Sequence, residues 1–138
     1  MLPGDQHWPA QLADIENADP LAPSQPLMLW ARGDVSLLSS RSLAITGARA
    51  CTGYGTHITA EIADHAAQRG VTVLAGASYG VDGAAHRAAL AAAGKTVAVL
   101  ASGVDRAYPA GHRDLIERIA VDGCVVSETL PGLAPTRW

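Results

Sequence analysis

Phenylalanine is absent from this chain of 138 residues, and aromatic residues together reach only 4%. That argues against RNA or single-strand binders that lay several bases on an aromatic platform. Cys51 and Cys124 are too few and too far apart for a disulfide framework or a zinc knuckle. No apolar run approaches the roughly 18–20 residues of a membrane span. The start, Met1-Leu2-Pro3-Gly4-Asp5, lacks the basic-then-apolar order of a secretory signal. The expectation is a reduced, cytoplasmic setting with no membrane contact. Positive charge is not in excess either: the net charge is −3, which does not advertise nucleic acid. Its distribution is uneven, however. Residues 1–34 hold five acids and one base, whereas residues 35–138 hold nine bases and eight acids. Any polyanion site must therefore be local, made of a few arginines and backbone donors.

What the chain does have is small apolar residues. Apolar types make up 49% and charged types 17%, with 27 alanines and 14 glycines. This suits one domain in which helices pack closely on a sheet. Residues 1–26 carry five prolines and read as an acidic, proline-rich lead-in with one short helix at Pro9–Asn17. Leu27–Ala31 reads as a short buried strand closed by Arg32-Gly33-Asp34. A unit of strand, small-residue turn, helix and glycine then repeats. Strands are expected at Ser42–Thr46, Val71–Ala75, Thr96–Leu100 and Cys124–Ser127. Helices are expected at Thr52–Gln68, Val81–Ala93 and Arg113–Val121, the first burying Ile58, Ile62 and Ala66. Gly70, Gly94 and Gly123 stand where left-handed helix caps belong. Strands apolar at nearly every position belong to a covered parallel sheet. The expected class is α/β: a Rossmann-like, doubly wound, mostly parallel sheet with helices on both faces.

In such folds ligands sit at the carboxyl ends of the strands. Here each of those ends is small or polar: Thr46-Gly47-Ala48-Arg49, Gly76-Ala77-Ser78-Tyr79-Gly80, Ser102-Gly103-Val104-Asp105 and Ser127-Glu128. Glycines let a ligand approach the backbone, and helix starts present free N–H groups to phosphate. Glycine is also simply common in such turns; it is the set of four that points to a polyanion or nucleotide crevice. The spacing is not GxGxxG and no acid ends the second strand, so an NAD site is not expected, and there is no Walker A loop. Arg49 overhangs the crevice, where a guanidinium can fork onto phosphate; a surface ion pair with Glu128 is the alternative. Asp82 and His86 share a helix face and read as a capping and hydrogen-bonding pair, with acid–base work as the alternative. Asp105 and Tyr108-Pro109 read as structural rim residues, and His57, His65 and His112 as solvent-facing without metal-ligand spacing.

Several stretches, in order, resemble the DNA-processing protein A (DprA or Smf) family. They are Leu29-Trp30-Ala31-Arg32-Gly33, Ala44-Ile45-Thr46-Gly47-Ala48-Arg49, Gly80-Val81-Asp82-Gly83-Ala84-Ala85-His86, Gly103-Val104-Asp105-Arg106-Ala107-Tyr108-Pro109 and Val126-Ser127-Glu128. The match spans residues 27–138, taken as the family's Rossmann-like domain. The resemblance implies a non-enzymatic protein that binds and protects single-stranded DNA in natural transformation and helps load the RecA recombinase, working as a homodimer. It implies DNA or phosphate contact at Gly47, Arg49, Gly76, Ser78, Gly80, Ser102 and Gly103, with no cofactor and no metal. The family usually continues beyond this chain into an arginine-containing segment and more sheet. A C-terminally incomplete domain is therefore expected, with an exposed sheet edge. Two other classes stand beside this reading. One is a nucleotide phosphoribohydrolase like the cytokinin-activating relatives, though the loop Ala101-Ser102-Gly103-Val104-Asp105 lacks their glutamate spacing. The other is a sensor that binds a nucleotide in the same crevice without turning it over.

Overall fold

The computed structural model describes residues 1–15 and 25–135. Its centre is a five-stranded sheet of β1 (Trp30–Gly33), β2 (Ser42–Ala44), β3 (Thr72–Gly76), β4 (Thr96–Val99) and β5 (Cys124–Ser127). The strand order is β1-β5-β4-β3-β2. Strands β2 to β5 are parallel neighbours, and β1 closes one edge antiparallel to β5. Three α-helices make the crossovers: α1 (Gly53–Gln68), α2 (Val81–Ala91) and α3 (Arg113–Asp122). The α/β class and mostly parallel sheet are as expected.

The covering of the two faces is unequal. Consecutive parallel strands lie side by side, so crossovers of one hand deliver the three crossover helices to one side. Val73, Ala75, Ala98 and Val125 meet all three α-helices there, through Ala63, Ala67, Ala85, Ala89, Ile116 and Ile119. On the other face Leu74, Val97, Cys124 and Val126 meet Leu29, the 3₁₀ turn Val35–Ser39 and the residues Met1, Trp8 and Leu12. The terminal amine of Met1 donates to the Leu29 carbonyl at 2.7 Å, tying the start of the chain to the sheet. The expected Pro9–Asn17 helix opens as a 3₁₀ turn over Ala10–Ala13 and continues α-helical at Asp14 and Ile15; its end lies outside the described residues.

Three local expectations are corrected. The strand expected at Leu27–Ala31 starts at Trp30, because pairing with β5 begins at Trp30 opposite Ser127 and leaves Leu27 exposed. Helix α1 buries Thr59, Ala63, Ala66 and Ala67, not Ile62, because it lies against α2 at alanine-to-alanine distance. Of the three glycines expected as left-handed caps only Gly70 has a positive φ, +69°. Gly94 and Gly123 answer close approach instead. A Cβ would come within 2.4 Å of Ala67 Cβ at Gly94 and within 2.1 Å of the Thr96 carbonyl at Gly123.

Candidate nucleic-acid interface

The carboxyl ends of β2, β3 and β4 enclose a crevice of about 460 Å³. Its walls are the turn Thr46, Gly47 and Arg49, the turn Gly76–Tyr79 with Asp82, the segment Val99–Ala101, and Tyr108-Pro109. Two turns are locked together behind it. The Val81 amide donates to the Ala48 carbonyl at 3.2 Å. Gly80, at φ +79°, lies so close that a Cβ would sit 2.2 Å from the Ala48 carbonyl oxygen. Gly80 is thus the hinge pin that sets the Arg49 turn against the start of α2.

Arg49 is exposed, and its guanidinium has no ion pair or hydrogen bond among the described residues. Glu128, the alternative partner, borders a different cavity, on the sheet face away from the α-helices. That second cavity, of about 870 Å³, is lined largely by Leu12, Leu29, Leu38, Leu74, Val99 and Val126. It is larger, its lining also carries Ser40, Arg41, Ser42, Ser127, Glu128 and Thr129, and Arg49 does not line it.

Ser78 and Asp82 form one unit on the crevice wall. The Ser78 hydroxyl donates to Asp82 Oδ2 at 2.6 Å and its amide does so at 3.3 Å. The carboxylate thus reaches back to the turn, and the helix start at Gly80 has no side-chain cap. Asp82 is 6% exposed, and its Oδ1 is buried without a hydrogen-bond partner among the described residues. His86 lies below the floor, fully buried. Its Nε2–H donates to the Gly76 carbonyl at 2.6 Å, and Nδ1 lies 2.7 Å from Thr96 Oγ1. The carbonyl only accepts, which fixes the proton on Nε2. Burial holds this imidazole below its ordinary range.

Other expected residues are elsewhere. Ser102 and Gly103 do not line the crevice. The Ser102 hydroxyl is buried and donates to the Arg106 carbonyl at 2.7 Å. Gly103 is covered by Leu130 and Pro131, so close that a Cβ would meet the Leu130 carbonyl at 2.6 Å. Ser127-Glu128 opens onto the second cavity, leaving two of the four expected turns at the crevice, with Val99–Ala101 and Tyr108-Pro109 completing its wall. Asp105 accepts from the Gly132 amide at 2.7 Å and fixes the loop after β5. His112, expected in solvent, is buried; its Nδ1 meets the Ala77 carbonyl at 2.9 Å and its ring packs edge-on against Tyr79. Tyr79 is the wall residue that sequence reasoning passed over as part of a glycine-rich turn. Its signal was an aromatic beside a helix start in a chain with few aromatics. Among the described residues no group of three or more His, Cys, Asp and Glu is placed to hold a metal. No helix among them is long and apolar enough to cross a membrane.

Comparison with known proteins follows the same lines. A family model for DNA recombination-mediator protein A matches residues 1–138. A Mycobacterium tuberculosis protein assigned as DNA processing protein DprA is 46% identical over 143 residues, covering 99% of this chain and 37% of its own length. The Bacillus subtilis DNA processing protein DprA is 32% identical over 82% of this chain and 38% of its own. The chain thus spans less than half the length of these relatives. The X-ray structure of DprA from Streptococcus pneumoniae superposes with a TM-score of 0.88 at 31% identity, covering 99% of this chain and 46% of that one. DNA processing protein A from Helicobacter pylori, whose structure is described for its single-stranded DNA binding mode, superposes at 0.77 with 30% identity, over 83% of this chain and 52% of that one. Sequence and fold agree, and this chain belongs to the DNA recombination-mediator protein A family.

Proposed function

We propose that this chain binds single-stranded DNA, with the sugar–phosphate backbone running along the lip of the crevice and Arg49 forking onto a phosphate. The observation that carries this is the exposed Arg49 guanidinium, without an ion pair or hydrogen bond among the described residues, beside a glycine turn at the carboxyl ends of three parallel strands. The description of the Helicobacter pylori relative supports it. The role is binding rather than turnover: protection of an incoming strand in the cytoplasm during natural transformation and its delivery to RecA, with a second copy of the protein as partner. The domain from residue 27 onward supplies the binding unit, and Met1, Trp8 and Leu12 brace its sheet. Gly47 lets the backbone approach, whereas Gly80 acts through the position of the turn.

Fluorescence anisotropy with a labelled oligo-dT tests this. Affinity falls as salt rises, and Arg49→Ala lowers both the affinity and the salt slope, by about 0.7 for one lost phosphate contact. Binding indifferent to salt and to Arg49 removes the proposal. A crevice of this volume also suits one free nucleotide, and calorimetric titration with mononucleotides beside oligonucleotides separates the two.

A further inference from the structure

Most of the arginines that the structure describes are already engaged. Arg32 and Arg118 face carboxylates at 2.6 and 3.5 Å. Arg69 and Arg106 donate to the backbone carbonyls of His65 and Gly132. Arg113 stands in the field of Glu117. Arg41 precedes β2, at the opposite end of that strand from the crevice, and borders the second cavity. Besides Arg49, that leaves Arg87 on α2. It is exposed, and its guanidinium has no ion pair or hydrogen bond among the described residues.

The position of Arg87 connects it to the crevice. Side chains four residues apart on a helix lie over one another, and the later one leans back over the earlier. Here the earlier residue is Gly83, which has no side chain to occupy the space. A Cβ at Gly83 would lie 2.9 Å from Arg87 Nη1 and 2.7 Å from His112 Cε1, so the guanidinium and the imidazole flank the same point. The His112 ring packs edge-on against Tyr79, with centroids 4.7 Å apart, and Tyr79 is a wall of the crevice. A track of neighbouring side chains thus runs from the crevice over Tyr79 and His112 to Arg87. The one carboxylate among the crevice-lining residues, Asp82, is buried, and its Oδ2 is taken by Ser78. Toward the second cavity stands Glu128, whose charge repels a phosphate.

Resting on the proposed single-strand binding, we propose that Arg87 is a second phosphate contact, so that the strand leaves the crevice across Tyr79 and runs onto α2 toward the start of α3. Arg49 and Arg87 then grip the backbone at two points, and Gly83 keeps the second guanidinium in reach of the first.

The test is fluorescence anisotropy of the full chain with a labelled oligo-dT long enough to span both arginines, over a series of salt concentrations. Arg87→Gln is expected to lower the salt slope by about 0.7 and to weaken binding about fivefold at about 0.1 M salt. Arg49→Ala lowers the slope by a similar amount, and the double variant by about twice as much. Arg87→Lys keeps the charge without the fork and is expected to restore the slope. A purely structural effect of Arg87 would weaken binding without changing the slope, and that result overturns the inference. So does an Arg87→Gln variant that matches the wild type in affinity and slope while Arg49→Ala still weakens binding; single-strand binding then stands. Absence of salt-dependent binding in the wild type removes the binding proposal and this inference with it.

Discussion

Single residues at the crevice divide into those that face a ligand and those that hold the frame. Gly80 belongs to the frame, because at φ +79° and in contact with the Ala48 and Arg49 carbonyls no side chain fits. Gly80→Ala is expected to cost about 1–3 kcal/mol from backbone strain alone, read by denaturant unfolding. It should also weaken oligonucleotide binding, because the Arg49 turn is displaced. His86 gives a pH signature. Burial lowers its folded pKa below the ordinary 6.5, so below that pH the unfolded chain takes up a proton that the folded one refuses. Stability is therefore independent of this group above its unfolded pKa and falls as pH drops beneath it, by at most about 1.4 kcal/mol per pH unit. Melting curves between neutral pH and the low fives are expected to show this fall, and His86→Gln to reduce its steepness. Arg32 and Glu117 make a bidentate pair, at 3.2 and 2.6 Å, that draws the Glu117 carboxyl below its usual range. The pair is half-exposed, so its removal should change stability by no more than about 1 kcal/mol.

Among the elements, the alanine-rich contact of α1 with α2 sets how close two helices stand over β3. Ala63 and Ala85 are fully buried there, and Gly94 has no room for a Cβ beside Ala67. Ala63→Leu is expected to destabilise by about 1–3 kcal/mol through overpacking. Ile119→Ala, which opens a void under α3, should cost about 2–5 kcal/mol. Both are measured by chemical denaturation. The pattern of apolar runs and glycine stops located β3 to β5 and all three helices to within a residue or two, because burial on both sides makes a strand apolar throughout. Edge positions were less legible. Strand β2 is paired on one side only and all its residues are exposed, so it ends at Ala44, two residues before its apolar run does. The buried face of α1 was misread because helical periodicity weighs isoleucine above alanine, whereas close packing selects the smaller residue.

At the scale of the whole molecule, the sheet order determines what the crevice contains. Sequential parallel strands gather their turns at one end and, with the three crossover helices on one face, leave a second cavity on the other. Local sequence could not reveal that Ser127-Glu128 opens onto that second cavity, or that Gly103 is covered by the loop after β5. Those placements depend on contacts between residues distant in sequence. Position at the carboxyl end of β2, by contrast, was enough to put Arg49 over the crevice. The most direct test of the central claim is a map of backbone amide shifts as a single-stranded oligonucleotide is titrated into the labelled protein. The account predicts that changes concentrate at Gly47, Arg49, Gly76, Ser78 and Tyr79. Changes confined to Leu12, Leu29, Leu38 and Leu74, with the Arg49 turn silent, would place the strand on the opposite face of the sheet and contradict it.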